Sequence, residues 1–418
     1  VYKRQALKAL NRAVDLAPEN STALSTYAEA KKTSGDVVEA LSLQLQAAET
    51  NPLADFVWLN LANTHMDLEQ WDESYLAVKK SIILSPHLCE SWNNLGFIKI
   101  NYGEFLSAER YFTQALIIRN NFAPSYSGLA EVIYLQNQLD DALKFSAIAI
   151  QFSPESPHHY KSRRALQLLA KGSMKDGWEL KEARLCLDHS IDHRGRPPRW
   201  DGQSLTDKTL LITAEEGIGD EVFYASCFND VINSTKQCFI ECDPRLVSLF
   251  ERSFPSAKVR EVERTGSRLK PVQSYYWLPK NPTVDLSIET GSLFRFFRSS
   301  IDDFQNRGPY LIPQRDLQEK WRARISELGS GLKIGFCWRS KYPSIFRNHH
   351  YTQLTDWLEI FKFPTAHFIS LQYGYDWQEE INSAPNVLRE RITVFNDADM
   401  SDDMETVFAI ASNLDVII

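Results

Sequence analysis

Several things are missing from this 418-residue sequence, and each absence narrows what it can be. No run approaches the ~18 consecutive apolar residues of a membrane-spanning helix, and no charged-then-apolar leader opens the chain, so no integral membrane segment is expected and the chain reads as soluble. A cationic excess is lacking too. The formal net charge is −8, which argues against nucleic acid as a partner. Cysteine is sparse, and Cys89, Cys186, Cys227, Cys238, Cys242 and Cys337 contain no C-x-x-C spacing. Neither a disulfide framework nor a zinc ribbon is expected, and a reducing, cytoplasmic location fits best. What is plentiful is core material: 43% hydrophobic and 12% aromatic residues fill at least two cores at this length. The chain opens on Val1 in the middle of a helical pattern and stops at LDVII in what reads as a strand, so both ends are expected to be fragment ends.

The first third repeats itself. Pro18, Pro52, Pro86 and Pro154 lie on a 34-residue beat, and Asn120 fills the missing one. On the same period lie the large residues Leu24, Trp58, Trp92 and Tyr126. Two small-residue registers accompany them, one of Ala28, Ala62, Gly96 and Ala130 and one of Ala40, Ser74, Ala108 and Ala142. Small residues let two antiparallel helices approach, large ones fill the neighbouring groove, and Pro ends the second helix. With WLNLA at 58–62 and WNNLG at 92–96, the pattern resembles the tetratricopeptide repeat. It runs through residues 1–156 as a half repeat followed by whole ones at 21–54, 55–88, 89–122 and 123–156. The resemblance implies a protein or peptide partner on the concave face of the array. Trp58, Trp92 and Tyr126 read as packing residues, whereas Asn60, Asn63, Asn94 and Lys99 are polar candidates for the concave face.

After residue 157 the period changes. A last helical pair and the proline-broken RGRPPRWDG, anchored by Trp200, form an expected cap and linker over 157–204. From there short apolar runs (TLLIT, QCFIEC, AKVREV, VDLSI, LKIGFCW, AHFISLQ, ITVF, LDVII) alternate with helical stretches, which predicts parallel sheet covered on both faces. The helical segment 315–328 divides the strands into two Rossmann-like lobes, 205–330 and 331–418. Ligands of such sheets bind beyond the carboxyl ends of the strands. At the first such end stands EEGIGDEV, where Gly217 and Gly219 are expected to allow a sharp turn and leave room for a ligand. It lacks the third glycine of the dinucleotide fingerprint, which disfavours hydride transfer. Asp220 has two readings there, a helix cap or a reactive carboxylate.

The succession PPRWDGQSL, KTLLITAEEGIGDEV, ECDPRLVSLFERSFP, GPYL, GLKIGFCWRS and FISLQYG resembles tetratricopeptide-containing glycosyltransferases of the heptosyltransferase-like group, glycosyltransferase family 9, and more distantly protein O-linked N-acetylglucosamine transferase. The similarity covers residues 175–418. It implies a GT-B fold of two lobes, the second cut short at the C-terminus, and metal-independent inverting transfer of a sugar from a nucleotide-sugar donor to a protein or glycan acceptor. By this resemblance Asp220 is the general base, and Glu215, Glu216, Gly217 and Gly219 lie on the acceptor side. Arg339, Ser340, Lys341, Arg347 and Gln372 face the donor's phosphates and nucleotide. No cofactor and no metal are expected, and the paired His349 and His350 read as helix-start residues. The sequence departs from the group at Glu216, Phe223 and Ser226, where Gln, Gln and Arg are usual, and it lacks the group's D-T-x-x-x-H-L-A-G-A-like element. A non-catalytic scaffold, the repeats holding a partner beside a silent transferase-like domain, therefore stands as the alternative. A phosphate-ligand sensor using Arg347 is a third reading.

Overall fold

The computed structural model describes residues 2–187, 191–267, 270–280, 283–304, 308–341, 349, 351–374 and 376–418. The chain divides into two compact units, residues 1–188 and 189–418. Among the described residues no helix is long and apolar enough to cross a membrane.

The first unit is a helical repeat solenoid of the tetratricopeptide kind. Helix α1 (Tyr2–Leu16) is followed by four hairpins: α2 (Ser21–Ser34) with α3 (Val37–Thr50), α4 (Asp55–Asp67) with α5 (Trp71–Leu84), α6 (Cys89–Asn101) with α7 (Phe105–Ile118), and α8 (Ala123–Leu135) with α9 (Leu139–Gln151). The expected cap, α10 (His158–Ala170) and α11 (Met174–Lys181), continues the same hairpin succession. Both small-residue registers are fully buried where the structure gives their exposure, as at Ala28, Ala62, Ala40, Ser74, Ala108 and Ala142.

The repeat has a chemical reason for its proline beat. Trp58 Nε1 donates to the Pro52 carbonyl at 2.9 Å, Trp92 Nε1 to the Pro86 carbonyl at 2.9 Å, and Tyr126 Oη to the Asn120 carbonyl at 3.0 Å. Each large residue thus reaches back six positions to tie the start of its hairpin to the turn before it, and the substitution of Asn120 for Pro leaves the acceptor intact. Polar side chains tie hairpin to hairpin. Asn60 donates to Ser25 Oγ at 3.1 Å, Asn94 to Asn63 Oδ1 at 2.6 Å, and Ser125 to Asn93 Oδ1 at 3.0 Å. Asn60, Asn63 and Asn94, expected as groove residues, are therefore engaged between hairpins. Lys99 pairs with Glu104 at 2.7 Å.

The second unit contains parallel sheets. Strands β2 (Thr209–Thr213), β3 (Gln237–Cys242), β4 (Ala257–Glu261) and β7 (Leu286–Glu289) form the first, in the order β4-β3-β2-β7, all parallel. Strands β8 (Lys333–Phe336), β9 (His367–Ser370), β10 (Ile392–Thr393) and β11 (Val416–Ile417) form the second, in the order β10-β9-β8-β11, also parallel. β2 is buried at every position, as β-branched and leucine side chains on a doubly covered strand require. Helix α16 (Arg315–Ser326) separates the two sets of strands, as expected.

Two expectations are corrected. The region is not wholly parallel: β1 (Asp192–Arg194), β6 (Lys270–Ser274) and β5 (Arg264–Ser267) make a small mixed sheet in which β5 and β6 run antiparallel. Their sequence, with Gly266 and charges between few apolar residues, carries no alternation strong enough to announce strands. Nor is the proline segment simply a linker. Ser287 N donates to the Pro198 carbonyl and Trp200 N to the Ser287 carbonyl, both at 2.8 Å, so the segment extends the first sheet beside β7. Proline, which has no N–H, is accommodated at such an edge. Trp200 anchors it, its ring 4.2 Å from that of Phe296.

Within the solenoid, the Phe112 ring lies between Gly96 and Gly128. A Cβ at Gly96 would fall 2.6 Å from that ring, and one at Gly128 only 2.3 Å. Gly128→Ala is expected to destabilise the solenoid by about 1–3 kcal/mol through overpacking. Urea unfolding measures this, and adding Phe112→Leu is expected to return part of the loss.

Candidate functional site

The carboxyl edge of the first sheet gathers ionisable groups that an apolar strand interior cannot hold. β2 delivers the buried Ala214, then Glu215 and Glu216, and the chain enters α12 (Ile218–Tyr224) through Gly217. The Asp220 carboxylate accepts the Gly217 N–H at 3.2 Å, so its capping reading describes the ground-state geometry. Asp220 is also exposed. The glycines do not serve a strained turn, contrary to expectation: Gly217 has φ −86°, and Gly219 lies inside the helix. A Cβ at Gly219 would meet nothing within 4 Å, and one at Gly217 only Asp220 Oδ2 at 3.6 Å. What the two glycines leave is open space in front of the edge.

Beside this turn lies a buried set of acids that sequence reasoning missed. Glu221, only 3% exposed, accepts the Asp243 N–H at 2.7 Å. Glu241, 2% exposed at the end of β3, accepts from Gln273 Nε2 at 3.1 Å. Burial pushes both carboxyls up to about 7. Gln273 is wholly buried, and its Oε1 has no hydrogen-bond partner among the described residues. Arg264 stands over the group, donating to the Glu215 carbonyl at 2.9 Å. At the end of β7, Glu289 behaves oppositely. Burial acts to raise it, but Arg196 and Arg199 outweigh that and hold it at about 2. His193 Nδ1 lies 2.8 Å from Tyr275 Oη, and burial together with Arg196 lowers its pKa to about 4. The signals available in the sequence were a lone Glu inside QCFIEC, another closing VDLSIE, and two arginines bracketing the prolines in RGRPPR.

The second sheet's carboxyl edge is organised by Gln372. This buried amide accepts the Trp338 N–H at 3.1 Å and the Arg339 N–H at 3.2 Å, and it donates to the Arg339 and Tyr373 carbonyls at 2.8 and 2.9 Å. It shapes the loop after β8 that carries Arg339, Ser340 and Lys341. Glu380 accepts from Trp338 Nε1 at 2.9 Å and from Arg339 Nε at 3.2 Å, and the Trp338 ring is in the core beside Phe336. Ser340 and Lys341 are half-buried. Gly374, at φ +99°, lets the β9 loop pass; a Cβ there would meet Lys341 Cα at 3.0 Å. Arg347 and His350 lie outside the described residues. Among the described residues no three His, Cys, Asp or Glu side chains gather as a metal-holding group.

No protein-family model matches the chain. Protein FlbA of Caulobacter vibrioides is 28% identical over 366 residues, which is 86% of this chain, and the chain spans 61% of that relative's length. Among solved structures, TTC0263, a tetratricopeptide protein of Thermus thermophilus, is 22% identical with a TM-score of 0.37, covering 40% of this chain and 91% of its own. The Cut9–Hcn1 hetero-tetramer gives 18% identity and a TM-score of 0.41 over 44% of this chain and 37% of that one. The type IV pilus biogenesis factor PilW gives 22% and 0.39 over 44% and 84%. The tetratricopeptide reading of the first unit stands on its own hairpin geometry.

Opposite tuning of these acids has a measurable sign. Glu221 and Glu241 are raised, so the stability they contribute is complete below about pH 4 and is lost as pH rises through about 7. Glu289 is lowered, so its contribution is present above about pH 4 and is lost as pH falls toward 2. Glu221→Gln with Glu241→Gln is expected to flatten the decline in unfolding free energy between about pH 5 and pH 8, by on the order of 3 kcal/mol per residue. Urea unfolding across that range measures it, while the acid limb set by Glu289 stays in place.

Proposed function

We propose that the chain belongs to a glycosyltransferase that moves a sugar from a nucleotide-sugar donor to a protein or glycan acceptor, with the repeats recruiting a protein or peptide. The observation that carries this reading is the pair of parallel sheets in one unit, one edge lined with acids and the other bearing the Arg339–Lys341 loop. The resemblance to heptosyltransferase-like enzymes of GT-B fold supports the same roles.

On this reading Asp220 releases the Gly217 N–H and takes the proton of an acceptor hydroxyl while that oxygen attacks the anomeric carbon. The open space before Gly217 and Gly219 admits the acceptor, beside Glu215 and Glu216. As the glycosidic bond to the leaving phosphate breaks, negative charge on the nucleoside diphosphate meets Arg339, Lys341 and Arg347, with Ser340 adding a hydroxyl. Gln372 acts by holding that loop in shape.

A specific observation favours the scaffold alternative as well. Phe223, where the enzyme group has Gln, is 48% exposed with its ring 5.0 Å from that of Phe294, and it adds apolar surface beside the turn where a polar acceptor would bind. In the full-length protein, a panel of nucleotide sugars is expected to reveal turnover that falls by about two orders of magnitude in Asp220→Asn. Turnover indifferent to that change leaves Asp220 as a cap. Absence of turnover with every donor, while the repeats still bind a partner, makes the scaffold the better account.

A further inference from the structure

The two parallel sheets are tied together by two arginines of the segment that follows β3. Arg245, in the turn after β3, holds Asp243 with Nε at 2.8 Å and Nη2 at 2.9 Å. Its Nη1 reaches over to the Ser401 carbonyl at 3.0 Å and to Asp402 Oδ1 at 3.1 Å. Arg252, in α14 (Val247–Ser253), grips both oxygens of Glu405 at 2.8 and 2.6 Å and donates Nε to the Ile312 carbonyl at 2.7 Å. Residues 401–405 follow β10 and start the helix Met404–Ala411. They are held from within their own body: Asp399 accepts the N–H groups of Ser401 and Asp402, Asp403 caps the helix at Thr406, and Ala409 and Ile410 pack with Trp321 and Ile325 of α16.

The tie continues inward. Asp243, gripped by Arg245, gives its N–H to Glu221, one residue from Asp220. On the far side, the charge of Lys341 helps to hold Asp399 below the usual carboxylate range, after the Asp402 and Ser401 amides. A continuous series of polar contacts therefore runs from the glycine turn through Glu221, Asp243, Arg245 and Asp402 to Asp399, next to the loop that follows β8.

We propose that Arg245 and Arg252 form a clasp that couples the glycine turn of the first sheet to the 399–405 segment of the second, so that releasing the clasp loosens both edges together. This holds whether the domain is an enzyme or a scaffold. The charged groups facing Glu221 along this route are Asp243, Arg264 and Asp220. Isolated exposed ion pairs contribute little, but here Arg245 joins Asp243 of its own turn to Ser401 and Asp402, and Arg252 joins the Ile312 carbonyl to Glu405, so each guanidinium bridges two elements.

Hydrogen exchange on the full-length protein tests the coupling. Asp402→Ala with Glu405→Ala removes both carboxylates of the second-sheet half, leaving only the Ser401 carbonyl on Arg245, and changes no residue of the first sheet. The amides of residues 217–222 and Asp243 are expected to exchange about fivefold faster, and reversing the other pair in the Asp402→Ala background (R252E with E405R) is expected to restore part of the protection. Acceleration confined to 399–406 overturns the coupling and leaves a local tie. Should the double variant unfold, the wild-type protein in about 0.05 M and about 0.5 M NaCl reads the same amides. Faster exchange at 217–222 in the higher salt supports the clasp, and equal exchange refutes it.

Discussion

A parallel strand buried on both faces cannot carry polar chemistry along its length. β2 is such a strand, and the first sheet follows from it. Polar groups are displaced to the carboxyl ends, where Glu215, Glu241 and Glu289 close their strands or begin the next turn. At those ends burial is only partly relieved, so the fate of each acid depends on its neighbours. Glu289 meets two guanidinium groups and stays ionised; Glu221 and Glu241 meet amides and titrate near neutrality. The same displacement puts Arg339, Ser340 and Lys341 beyond β8 in the second sheet.

The solenoid obeys a different constraint. Every hairpin must offer the next a surface of matching shape, which fixes the small residues and repeats the aromatic-to-carbonyl bond at Trp58, Trp92 and Tyr126. A close fit of this kind is made by Phe112 between Gly96 and Gly128. Polar ties such as Asn94 to Asn63 run between hairpins as well, so several polar residues of the first helices hold the array together.

How much was legible follows from these two constraints. The repeats could be read because the same contact recurs at a fixed spacing, so residues such as Ala40 and Ser74 report on one another. The apolar runs of the second unit could be read because strands β2, β3, β7, β8 and β9 are buried along nearly their whole length and so are continuous apolar stretches. The β5–β6 pair could not, since its strands mix charged, small and polar residues, the buried Gln273 among them, and leave a weak pattern. At the candidate site the sequence marks the turn through Asp220 and the glycines. Nothing in it marks the neighbouring Glu221, because burial of a carboxylate is decided by long-range packing, here by the approach of Asp243 from the end of β3. Gln372 was visible as a strand-end amide, and what it holds, the backbone of Trp338 and Arg339, depends on the register of two strands.

The proposed function requires that the loop after β8 bind the phosphates of a nucleotide and that the acidic edge of the first sheet bind the acceptor. Calorimetric titration of nucleoside diphosphates into the full-length protein, beside the same titration of Lys341→Ala, tests it most directly. The account predicts saturable binding of at least one nucleoside diphosphate, weakened by about tenfold in the variant, as loss of a charge-assisted phosphate contact requires. No binding of any nucleoside diphosphate, or equal affinity in the two proteins, would contradict it.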